Sequence, residues 1–144
     1  MPTSRRLLLA AAAAAVPAVA KPPKAKKSHF KDGRPKDGKP PLYSPVVTAN
    51  GFVFVSGTGK IDGGNIQEQT KWVLDSIEAN LNHVGSSMLK AVKCNVYLSD
   101  IANYGPMNEV FRGRFGENPP ARTTFAVAAI PFGCLVEIEV MAEA

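Results

Sequence analysis

Arg122 and Glu137 are the two residues whose types and spacing offer chemistry. Arginine presents a planar fork of donors that matches a carboxylate bidentately and keeps its charge throughout the physiological range. A glutamate within a few ångströms of a bound molecule can orient a water or take a proton from it. Arg122 lies in the run Arg122 to Ala128 and Glu137 in the run Leu135 to Ala142, and both runs alternate as strands do. A turn around Pro131-Phe132-Gly133 joins them. Val136, Ile138 and Val140 suit a buried face, so Glu137 and Glu139 point the other way. Thr123, Phe125 and Val127 alternate with Arg122, Thr124 and Ala126, which sets Arg122 and Thr124 on the face of Glu137. Two outcomes fit: the charges pair with each other, or they act together on a bound molecule.

The remaining residues offer less. His29 and His83 are too far apart in sequence to build a Ser-His-Asp set, a Cys-His set or a metal-spaced cluster, so no metal is expected. Gly57 to Gly64 is glycine-rich but lacks the phosphate-loop spacing. Cys94 falls on the apolar side of its strand, which favours two free thiols over a disulfide with Cys134.

The elements that must position Arg122 and Glu137 are legible in outline. Val46 to Ala49 and Phe52 to Ser56 flank Asn50-Gly51, a strong hairpin signal because a type I′ turn needs positive φ twice. Ile66, Val73, Ile77, Leu81 and Val84 recur three or four apart, which predicts an amphipathic helix over 65–84 ended by Gly85. Ala91 to Leu98 reads as a strand, with Val92, Cys94, Val96 and Leu98 on one face and Lys93, Asn95 and Tyr97 on the other. Pro106 suits the first turn of a second helix reaching Phe115. The order ββαβαββ gives an α+β domain over 41–144, with the helices on one face of an antiparallel-rich sheet. The opposite face mixes aromatic, small and charged groups, as a subunit interface holding a polar pocket would.

The N-terminal residues are of another kind. Arg5-Arg6, an apolar run to Val19 and Ala18-Val19-Ala20 follow the order of a secretory signal peptide over residues 1–20, with the paired arginines favouring a twin-arginine route. The apolar run is shorter than the roughly 20 residues that span a bilayer, so no stable membrane anchor is expected. The mature chain would be periplasmic or secreted. Residues 21–40, with eight lysines and arginines against Asp32 and Asp37, predict a disordered tether. The net charge of +5 belongs to these termini, because residues 41–144 carry seven basic against ten acidic side chains. A nucleic-acid partner is therefore not expected.

Asn118 to Thr124, Ile130-Pro131 and Leu135 to Ala142 resemble the C-terminal signature of the YjgF/RidA (Rid) family. Tyr43-Ser44-Pro45, Val55-Ser56-Gly57 and Met107-Asn108-Glu109 fall where that family has its other marks. The resemblance covers the whole domain and implies a chorismate-mutase-like fold, a mixed sheet assembled as a homotrimer with pockets between subunits. Members hydrolyse reactive enamine and imine intermediates, 2-imino acids, to 2-oxo acids and ammonia without cofactor or metal. Carried over, Arg122 binds the substrate carboxylate and Glu137 positions or activates the attacking water. Tyr43, Ser56 and Asn108 line the pocket near the backbone of Gly57. Thr124 stands where many deaminating members have cysteine, and Thr58-Gly59-Lys60 replaces a glutamine-led loop. A non-catalytic module that binds small carboxylates would use the same pocket.

Overall fold

The computed structural model describes residues 24–144, so the expected signal peptide at 1–20 lies outside the described residues. Six strands and two helices follow one another: β1 (Lys27–His29), β2 (Val46–Ala49), β3 (Phe52–Gly59), α1 (Ile66–His83), β4 (Ala91–Leu98), α2 (Tyr104–Phe111), β5 (Ala121–Ala126) and β6 (Val136–Glu143). Asn50 and Gly51 take φ of 49° and 83°, the pair of positive angles the β2–β3 turn requires. Helix α1 starts at a reciprocal cap. The Asn65 side chain accepts from the Glu68 N–H at 2.9 Å, and the Glu68 carboxylate accepts from the Asn65 N–H at 3.0 Å. The chain leaves α1 through Gly85 at φ 81°.

The strands form one mixed sheet in the order β1-β2-β3-β6-β4-β5. Only β4 and β5 run parallel among these pairs, and α2 supplies the crossover that a parallel pair needs. Val73, Leu74, Ile77 and Leu81 of α1 pack on Val53, Val55, Val96, Ile138 and Val140, all essentially removed from water. Both helices lie on this side. The other face carries Phe52, Phe54, Lys93, Asn95, Tyr97, Thr123, Phe125, Glu137, Glu139 and Met141, covered by neither helix among the described residues.

Four expectations change. Strands β5 and β6 are not neighbours, because β4 lies between them; the turn at Pro131–Gly133 carries the chain across β4 instead of closing a hairpin. The parallel register sets Cys94 against Arg122 and Val96 against Thr124. Arg122 and Thr124 therefore face the helices, while Thr123 and Phe125 face the open side; a one-residue difference in strand phase moves every side chain to the other face. Helix α2 stops at Phe111, short of Phe115, where Arg112 turns to ψ 131°. Finally, β1 lies inside the stretch expected to be a disordered tether. Its backbone pairs with the free edge of β2, Ser28 against Val47, which asks little of its polar side chains.

Leu74→Ala should cost about 2–5 kcal/mol of folding stability, since it opens a cavity in the most buried layer. Asn65→Ala should cost only about 1 kcal/mol through the lost cap. Urea unfolding of the two variants beside the parent measures both.

Candidate functional site

Glu137 lines a cleft of about 1220 Å³ together with Tyr43, Ser56 and Gly57. The geometry begins with a bulge: Val55 pairs with Val140 and Thr58 with Ile138, so Ser56 and Gly57 together oppose one residue of β6. The bulge brings Gly57 against Glu137. A β-carbon at Gly57 would lie 2.9 Å from the Glu137 carboxyl carbon, so only glycine lets that carboxylate rest against the backbone. The Ser56 hydroxyl donates to the Ser44 carbonyl at 2.7 Å, and the Ser56 N–H donates to the Pro45 carbonyl at 3.0 Å. These two bonds hold Tyr43 at the mouth, where its ring stays exposed. Among the described residues, no side chain hydrogen-bonds to Glu137, which leaves both of its oxygens able to accept from a water.

A residue not foreseen from the sequence steadies this end of β6. Gln69 is buried on α1; its carbonyl oxygen accepts from the Leu135 N–H at 2.8 Å and its amide donates to the Gly64 carbonyl at 3.3 Å. It ties the helix to the loop after β3 and to the residue before β6. The signal available was a glutamine on the apolar stripe of the helix between Ile66 and Val73.

Arg122, Thr124 and Asn108 form a second group elsewhere. The Arg122 guanidinium carbon stands 4.6 Å from the centre of the Phe111 ring and 5.7 Å from that of Tyr104, and one Arg122 nitrogen donates to the Tyr104 hydroxyl at 3.4 Å. Tyr104, Asn108 and Phe111 are spaced along one face of α2. The two aromatic rings are thus the cradle of Arg122, and the sequence held no signal for them beyond that helical spacing. Among the described residues no carboxylate lies within 4.0 Å of this guanidinium, so its donors remain open to an anion. Among the described residues the buried Thr124 hydroxyl has no hydrogen-bond partner.

The seven residues therefore fall into two separate groups: Tyr43, Ser56, Gly57 and Glu137 in one, Asn108, Arg122 and Thr124 in the other. Arg122 and Glu137 lie on opposite faces, two strands apart, or about 10 Å across the sheet. The simple ion pair between them does not form within a chain. On the open face the second acidic residue of β6 is otherwise engaged: Glu139 accepts from Asn95 at 2.7 Å and from the Tyr97 hydroxyl at 3.1 Å. Burial and this carboxylate hold the Tyr97 phenol above its ordinary range.

The two cysteines are free thiols. Burial pushes Cys94 up to about 12, and burial followed by the Glu137 charge also raises Cys134. Both stay protonated at pH 8, so iodoacetamide should label neither thiol in the native chain and both in urea. Thr124→Val keeps the shape and removes a buried hydroxyl without a partner; its melting temperature should equal or exceed that of the parent.

A sequence profile for the family described as endoribonuclease L-PSP matches residues 39–144. A RutC family protein of Pyrococcus abyssi is 40% identical over 107 residues, covering 69% of this chain and 84% of its own. A rat protein named 2-iminobutanoate/2-iminopropanoate deaminase is 34% identical over 107 residues, covering 69% of this chain and 78% of its own. Among solved structures, RidA from an Antarctic Psychrobacter superposes with a TM-score of 0.69 at 33% identity, covering 72% of this chain and 89% of the other. A match across the whole sheet-and-helix domain, with relatives above 30% identity, places the chain in the YjgF/RidA (endoribonuclease L-PSP) family.

Proposed function

We propose that the chain is a deaminase that hydrolyses 2-imino acids and their enamine tautomers to 2-oxo acids and ammonia, at sites shared between copies of a homotrimer. One observation carries the reading: the candidate residues divide into two half-sites on opposite faces of one sheet, each lacking what the other holds. A neighbouring copy that brings its β5 edge to the Glu137 cleft would complete the site. The open face, with Phe52, Phe54, Phe125 and Met141 uncovered around the Glu139 cluster, supports such an assembly. The name of the rat relative supports the reaction.

The chemistry asks little of the protein. Arg122 holds the substrate carboxylate through a charge-assisted contact worth about 1.5–3 kcal/mol. Glu137 orients a water and accepts its proton as the oxygen attacks the iminium carbon. The proton on Glu137 then passes to the nitrogen of the tetrahedral intermediate, ammonia leaves as the oxygen lone pair forms the C=O bond, and the hydroxyl proton is taken up by the Glu137 carboxylate and lost to solvent, leaving the 2-oxo acid. The iminium carbon is already electrophilic, so bringing water and substrate together on one axis is most of the task. No cofactor or metal enters these steps.

A binding module without turnover would employ the same groups and would take up 2-oxo acids while releasing no ammonia. An RNA substrate finds little support, because the described residues 24–144 carry fourteen basic against twelve acidic side chains, a nearly neutral balance. Residues 1–20 would direct the chain to the periplasm or beyond the cell.

Arg122→Ala should lower kcat/KM for ammonia release from freshly generated iminopropionate by about 10- to 100-fold, and Glu137→Gln by about 100-fold or more. Mixing the chains gives a sharper test. If each site takes Arg122 from one copy and Glu137 from another, co-refolding equal amounts of Arg122→Ala and Glu137→Ala chains restores roughly a quarter of the parent rate. Recovery no greater than the sum of the two variants sinks the shared site, and an inactive parent sinks the deaminase.

A further inference from the structure

The residues before the family-matched span do more than lead into the domain. Residues 24–38 precede that span, yet they are fastened to the sheet at several points. The Lys24 carbonyl accepts from the Asn50 N–H at 3.3 Å. Strand β1 pairs along β2 from Lys27 against Thr48 to His29 against Val46. The His29 ring nitrogen Nε2 hydrogen-bonds to the Thr48 hydroxyl at 2.9 Å, and the same ring meets His83 at the end of α1 edge-on, with centroids 6.4 Å apart. A second histidine thus lies near His29 in space, though not in sequence.

Immediately after β1 the chain turns back. The Gly33 N–H donates to the Phe30 carbonyl at 3.1 Å, with Gly33 at φ 84°, and the Arg34 guanidinium covers one face of the Phe30 ring at 5.1 Å. Phe30 is half-buried as a result and lines the cleft of Glu137, Tyr43 and Gly57. Trp72, Phe132 and Ile61 line the same cleft. A substrate with only a methyl or ethyl side chain would leave the aromatic part of this wall unfilled.

We propose that residues 24–34 are a specificity strap, clipped to the sheet by β1, whose Phe30 turns the Glu137 cleft toward 2-imino acids with aromatic or bulky apolar side chains. This rests on the deaminase reading for its reaction, but not for its ligand preference. The strap acts by area and shape: a ring seated against Phe30 and its aromatic neighbours leaves water and gains edge or stacking contacts. The clip supplies the rigidity, because a wall that moved would give back that gain in ordering entropy.

The test compares the full chain with Phe30→Ala in two assays. The first measures ammonia release from imines generated from phenylalanine and from alanine. The second measures binding of the corresponding products, phenylpyruvate and pyruvate, by calorimetry. The parent should favour the phenyl compound in both, and Phe30→Ala should shrink that preference by about three- to tenfold. An unchanged phenyl-to-methyl ratio in both assays overturns the strap, even if deamination is vigorous. A parent that turns nothing over, yet binds phenylpyruvate preferentially through Phe30, upholds the strap and removes the deaminase.

Discussion

Pairing β5 parallel to β4 is the constraint on which the rest of the molecule depends. It is possible only because α2 carries the chain from the end of one strand to the start of the next, and it leaves the far side of β4 free for β6. The same register decides that Arg122 looks toward α2 and that Phe125 looks away from it. Had β5 closed a hairpin with β6, Arg122 and Glu137 could have neutralised each other on one face. Separated by β4, each keeps its full capacity for a ligand. The guanidinium rests on aromatic rings, which orient it and take only one of its donors, through the Tyr104 hydroxyl.

Around Glu137, backbone geometry does what aromatic rings do for Arg122. The bulge at Ser56 and Gly57 lets two residues of β3 face one of β6, and the missing side chain at Gly57 admits the Glu137 carboxylate. The Ser56 hydroxyl is spent on the Ser44 carbonyl, so its part is to hold the Tyr43 segment across the cleft. Gln69 anchors the start of β6 from the helix side, with its amide and carbonyl both used. A polar side chain at that depth is tolerated because its bonds are made.

The strap belongs to the same logic of borrowed edges. An outer strand needs only a partner with unpaired backbone groups, and β2 offers one. Residues with almost no apolar content can therefore be ordered, provided a sheet already stands beside them. Lysine-rich composition alone says nothing of that neighbour, which is why a disordered tether was the natural expectation for 21–40. Phe30 was the one residue of the stretch able to report a packing site.

By itself the sequence determined the local grammar: the Asn50-Gly51 turn, the periodicity and cap of α1, the stop at Gly85, and the alternation within β6 and from Lys93 onward in β4, although an irregularity after Ala91 leaves Val92 exposed and not beside Cys94 on the buried face. Each of these is governed by residues within a few positions of one another, so it survives without knowledge of the fold. The motifs around Arg122 and Glu137 also determined the family, and with it which residues to watch. The tertiary structure alone decided strand order, and hence the face that Arg122 and Thr124 occupy. Strand alternation defines two faces but not which one meets the helices at a sheet edge, where an arginine stem over Phe111 serves as well as an apolar side chain. It also decided that Arg122 and Glu137 stand apart within one chain, because the β4 strand between them is a long-range pairing that no local spacing encodes.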